Sequence, residues 1–121
     1  MRLYTIQMGK YRIATAQGYT ITDTTVKSGG DSPFKPTWDI VRDVKAGVIT
    51  ECQYTTAYLH LMRRSYINRR EEWLEFLRQP TAVIACYCGN GKFCHRYILT
   101  RCLAMVAARH AIEFEYLGEL T

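Results

Sequence analysis

The sequence predicts an α/β fold: one small three-layer domain with a mainly parallel central sheet. Two observations predict it. Residues 81–87 form an unbroken apolar run between Pro80 and a glycine-rich loop, the pattern of a strand buried on both faces. That run is followed by an amphipathic helical segment over 94–109 and an alternating segment over 112–117. Strand, helix and strand in that order, with right-handed crossover, give a parallel pair.

The remaining elements follow from local signals. Residues 3–6 predict a short opening strand. Residues 11–13 either extend it past Met8-Gly9-Lys10 or begin another element. The β-branched stretch over 19–26 predicts a second strand. Glycine, proline, serine and aspartate punctuate residues 27–36, which form the one long loop. A helix is expected over 38–46, capped by Thr37, favoured at its start by Asp39 and stopped by Gly47. Thr50 and Gln53 match a capping box and open a helix to about Tyr66. Asn68 and Glu71 predict a similar start for a third helix over 69–78, closed by Pro80. In the segment over 94–109, Ile98, Leu99, Cys102, Leu103, Met105 and Val106 recur at helical spacing and are expected to face the sheet. These elements describe a single Rossmann-like domain over residues 1–121.

A net charge of +5 mildly favours anionic partners: nucleic acid, nucleotides or acidic surfaces. Five cysteines, an odd number, argue against a disulfide framework. The first ten residues lack the apolar run of a secretory signal, and residues 98–108 are too short and too interrupted by Arg101 to span a bilayer. The expected setting is the cytoplasm, without membrane association.

The chemistry-bearing residues concentrate between Cys86 and Arg96. This segment joins the C-terminal end of the buried strand to a helix start, where open α/β sheets bind their ligands. Gly89, Asn90, Gly91 and Lys92 form a loop in which glycine permits close backbone approach and lysine supplies positive charge. Free helix-start amides and the Arg96 guanidinium suit an anion. If the site is catalytic, Arg96 holds the anion, His95 moves a proton, and Cys94 is nucleophile or helix-start support. Asp23, after the second strand, is a candidate carboxylate for the same pocket.

Plainer readings compete. Cys86 and Cys88 fit core cysteines, and His95 and Arg96 fit capping and packing residues. Cys86, Cys88, Cys94 and His95 offer zinc-type donors at a spacing unlike paired knuckles, and no metal or cofactor is expected. The loop lacks the third glycine of a dinucleotide fingerprint and the Gly-Lys-Ser/Thr ending of a triphosphate loop. A second feature is basic: Arg63, Arg64, Arg69 and Arg70 surround Tyr66, which could stack on a base while the arginines meet phosphates. The plain alternative is a solvated helix corner partly neutralised by Glu71 and Glu72.

Residues 85–99, with Cys94-His95-Arg96, resemble the strand–loop–helix signature of the domain of unknown function 488 family. Residues 3–6 resemble its opening strand, Pro36-Thr37-Trp38 its Pro-x-Trp segment, and Tyr54, Thr55 and Tyr58 its Tyr-Thr-x-x-Tyr helix. The resemblance implies a small α/β fold in which Cys94, His95, Arg96, Trp38, Tyr54 and Tyr58 belong to the characteristic set; it implies no reaction. The chain departs from the family pattern at Gly89-Asn90-Gly91, where acidic residues or proline are frequent. The expected partner is a phosphate-bearing small molecule or nucleic acid, bound near Cys94, His95 and Arg96, with Gly89 to Lys92, Asp23, Trp38, Tyr54 and Tyr58 nearby. The alternative is an interaction module built on the basic corner.

Overall fold

The computed structural model describes residues 1–88 and 92–121. Among these residues four strands, β1 (Arg2–Gln7), β2 (Ile21–Asp23), β3 (Thr81–Cys86) and β4 (Glu115–Glu119), form one sheet in the order β2-β3-β1-β4. Every pairing is parallel. The helices are α1 (Tyr11–Ala16), α2 (Trp38–Lys45), α3 (Glu51–Asn68), α4 (Arg70–Leu77) and α5 (His95–Arg109).

β3 is central because both of its faces find apolar partners. Val83 and Ala85 pack with Ile6, Leu120 and Ala14 of α1. Ala82 and Ile84, on the opposite face, join Leu3 and the larger core of α3, α4 and α5. That core includes Tyr58, Trp73, Leu77, Leu99 and Leu103, all nearly inaccessible to solvent. The sheet therefore lies between α1 and a helical layer, the three-layer arrangement its sequence predicts. The chain leaves β1 toward α1 on one face and leaves β3 toward α5 on the other.

Local chemistry sets the element ends. Thr50 and Gln53 form the capping box in full: the Gln53 amide donates to Thr50 Oγ1 and the Thr50 amide to Gln53 Oε1. Thr37 has the extended backbone of an N-cap but makes no side-chain capping bond, and Gly47 follows α2 at φ 75°. α4 is preceded by Arg69, not by an Asn68 cap, because Arg69 takes the non-helical conformation (φ −131°, ψ 38°) that separates it from α3.

Of the two courses open to residues 11–13, the chain takes the second and begins α1. Four expectations need correction. The second strand has three residues, because Asp23 folds onto the next turn and ends the ladder. The last strand begins at Glu115, since Ile112 and Phe114 pack against the core before the chain pairs with β1. That strand is parallel to β3 but not beside it: β1 lies between them. On α5, Met105 is 74% exposed; Leu99, Leu103 and Ala107, four residues apart, carry the buried stripe. No helix among the described residues is long and apolar enough to cross a membrane.

Candidate functional site

The turn after β2, the end of β3 and the start of α5 close the bottom of a cavity of about 380 Å³. Cys86, Cys94 and His95 are buried on its floor, with Cys88 half-buried beside them. Trp38 of α2, Tyr54 of α3 and Phe93 supply aromatic walls, and Lys27, Lys45 and Lys92 line the opening. The ring of Tyr54 meets Phe93 edge-on at 5.4 Å. Trp38 is 56% exposed, so much of its ring is available to something entering from solvent.

His95 is fixed by the turn after β2. Its Nε2 lies 2.9 Å from the Thr24 carbonyl oxygen and 3.0 Å from Thr24 Oγ1. A carbonyl only accepts, and Thr24 Oγ1 already donates to the Ala85 carbonyl. Nε2 therefore carries the ring proton, and the lone pair sits on Nδ1, 3.9 Å from Cys94 Sγ. Burial, only partly opposed by the bond to Thr24, pushes the imidazole pKa down to about 4. The ring is neutral near pH 7, which suits a hydrogen-bonding or ligating group better than a proton carrier.

Cys94 is the N-cap residue of α5, extended in backbone and making no side-chain capping bond. Its sulfur is disulfide-bonded to that of Cys86, a bond of the kind the odd cysteine count argued against. The end of β3 and the start of α5 bring the two together across a sequence separation of 8.

Arg96 stands elsewhere than an anion ligand would. It is fully buried and does not line the cavity. Nη1 donates to Cys86 Sγ at 3.0 Å and to the Cys88 carbonyl at 2.9 Å. Nη2 donates to Glu119 Oε1 at 2.5 Å and to the Tyr97 hydroxyl at 2.9 Å. Its guanidinium thus ties the end of β3 to β4 and braces the cysteine floor from behind.

The other expected residues divide. Trp38, Tyr54 and Lys92 line the cavity; Gly89, Asn90 and Gly91 lie outside the described residues. Tyr58 lies one layer deeper. Its hydroxyl donates to the Phe34 carbonyl at 2.7 Å and its ring tilts against His95 at 5.4 Å. Burial pushes the phenol pKa of Tyr58 well up, so it stays protonated as a strut. Asp23 turns away from the cavity and accepts from the Thr25 amide and hydroxyl and from Ser28. At the basic corner Arg63 and Arg64 are exposed, but Tyr66 is engaged. Its hydroxyl meets His110 Nε2 at 2.6 Å and the Arg70 guanidinium lies 5.3 Å over its ring. Arg69 pairs with Glu72 and Asp31.

Sequence reasoning missed Thr24, Glu119, Lys27 and Lys45. Lys45 had a signal, since Trp38, Val41 and Lys45 recur on one face of α2. Thr24 and Glu119 had none, because each reaches the site only through sheet pairing.

Comparison of the chain with protein-family models, with curated proteins and with solved structures finds no match.

Proposed function

We propose that the cavity binds a phosphate-bearing ligand with a flat apolar portion, such as a nucleotide or a nucleic-acid end. One observation carries this reading: a single cavity combines an exposed tryptophan wall with three lysines drawn from three separate segments. Lysines at a concave opening favour a multiply charged anion, and an available indole face accepts a base by stacking. Cys94 and His95 lie where the ligand's inner end would reach. Arg96 serves this site indirectly, by holding Cys86 and the Cys88 carbonyl in place.

We also propose that the resemblance to the domain of unknown function 488 family reflects membership. Trp38, Tyr54, Cys94 and His95, from three separate segments of that resemblance, line one cavity, which supports this reading. A cytoplasmic location accompanies it, supported by an odd cysteine count that leaves Cys52, Cys88 and Cys102 as free thiols. The basic corner has less in its favour as a nucleic-acid surface. The face of Tyr66 is covered by Arg70, and Arg69 is already paired.

The test is thermal unfolding against a panel of nucleoside mono-, di- and triphosphates and short oligonucleotides. A bound ligand at 100 times its dissociation constant stabilises by about 2.7 kcal/mol. At least one panel member should raise Tm in the unmodified protein, and Trp38→Ala and the pair Lys45→Ala, Lys92→Ala should diminish that rise. An unchanged Tm across the panel, or an undiminished rise in both variants, overturns the proposal.

A further inference from the structure

We propose that Cys86, Cys88 and Cys94 bind one thiophilic divalent cation of the zinc type, with its fourth coordination position open to the cavity. The three sulfurs lie within 4.8 Å of one another. A tetrahedral centre with metal–sulfur bonds of about 2.3 Å sets its sulfurs about 3.8 Å apart, so small side-chain adjustments close the site. The α-carbons of Cys86 and Cys94 are 7.8 Å apart. That is beyond the roughly 7 Å across which a disulfide closes without backbone movement. Two thiolates turned toward a common ion require no such movement.

The surroundings match what a thiolate site needs. Cysteines buried only for packing have no use for a cation, yet the Arg96 guanidinium donates to Cys86 Sγ at 3.0 Å and holds that sulfur in place. The same nitrogen holds the carbonyl of Cys88, fixing the backbone that carries the second donor. The third donor, Cys94, is positioned by the start of α5. His95 presents its Nδ1 lone pair beside the trio, and its other nitrogen donates to a backbone carbonyl, the outer bond that orients metal-site histidines. All three cysteines and His95 line the cavity, so the fourth position faces a space that admits water or a ligand. The spacing differs from paired knuckles because a strand end and a helix start gather the sulfurs, where knuckles would use two turns.

Cys86 and Cys94 are disulfide-bonded in the structure, so a phosphine first reduces the pair, taking an oxygen from water to become phosphine oxide and leaving two thiols. Each of the three thiols then gives its proton to water as its sulfur–metal bond forms, with no further change of oxidation state. The phosphine stays present during the experiment. The inference does not depend on which anion the cavity takes, since metal content is read without any nucleotide.

The test uses the full chain without a histidine tag, produced in zinc- or cobalt-supplemented medium and purified reduced without chelator. Elemental analysis should give about one metal per chain. The cobalt form should show thiolate-to-metal charge transfer and the intense visible bands of tetrahedral coordination. Cys88→Ser, at a half-buried position past the end of β3, should lose metal affinity by at least about tenfold, reading the range for outer-shell losses as a lower bound. Cys52→Ser, exposed on α3, should retain it. Substoichiometric metal in the unmodified protein overturns the proposal. So does a Cys88→Ser protein, folded by circular dichroism, with undiminished metal content and unchanged cobalt bands.

Discussion

His95 Nε2 stands 2.9 Å from the carbonyl oxygen of Thr24, 71 residues away in the chain. The contact exists because β2 and β3 are neighbours: the Thr24 amide and hydroxyl both donate to the Ala85 carbonyl, at 3.1 and 3.0 Å. The turn after β2 is thereby locked to the end of β3, directly beneath the first residue of α5. The orientation of one imidazole thus reports the assembly of three elements.

The tautomer of that ring is the first prediction. Long-range proton–nitrogen spectra at neutral pH should show His95 neutral, with the proton on Nε2. A proton on Nδ1 would contradict the hydrogen-bond geometry, since a bare Nε2 cannot pair with a carbonyl oxygen.

The second concerns the Arg96–Glu119 pair, whose side chains are 0% and 13% exposed. Glu119→Gln leaves a guanidinium buried with its countercharge removed. Breaking one side of such a pair costs about 3 kcal/mol, the low end of the usual range because Glu119 keeps some water contact. The urea midpoint should fall at unchanged m-value. A loss below about 1 kcal/mol would place the pair among surface bridges of little consequence.

The third is the acid response. Burial alone would raise the Glu119 carboxyl, but hydrogen bonds led by that from Arg96 outweigh it and hold its pKa below the usual value. Asp23 behaves alike: bonds from Ser28 and Thr25 overcome burial and hold its carboxyl low. A carboxyl depressed in the folded state stabilises fully above its unfolded pKa, near 4, and loses that contribution as pH falls through the lowered folded value. Urea stability should therefore decline from about pH 5 downward, and Glu119→Gln and Asp23→Asn should each flatten the decline. Parallel pH profiles in both variants would sink this account.

A fourth prediction tests a local signal. Thr50→Ala removes the hydroxyl that accepts from the Gln53 amide and should cost about 1 kcal/mol. Thr37→Ala, at an N-cap whose side chain makes no capping bond, should cost clearly less. Equal losses in denaturant titrations would show that the capping bond is not the source.

The fifth concerns Gly29. Any side chain there would run into the Thr25 carbonyl, whose oxygen accepts from the Gly29 amide at 2.9 Å. Gly29→Ala should destabilise by about 1–3 kcal/mol, the range for forcing atoms into a packed site, and Gly9→Ala gives the comparison at a spacious position without a left-handed backbone. Chemical denaturation reads both.

Part of this architecture is legible locally, wherever short-range physics controls it. The apolar run that becomes β3, the Thr50–Gln53 box that opens α3 and the leucine repeat of α5 are each written within a few neighbouring residues. So is the concentration of cysteines and His95 at a strand-to-helix junction, which located the candidate site. Tertiary structure decided everything that depends on which strands are neighbours. Inserting β1 between β3 and β4 carries Glu119 to the side of Arg96, and this turns an expected anion ligand into a buried brace. Pairing β2 with β3 sets Thr24 against His95 and leaves Asp23 facing its own turn. The reason is physical: burial and hydrogen bonding of a charged group depend on partners many residues away, and no local pattern encodes the sheet order that brings them together.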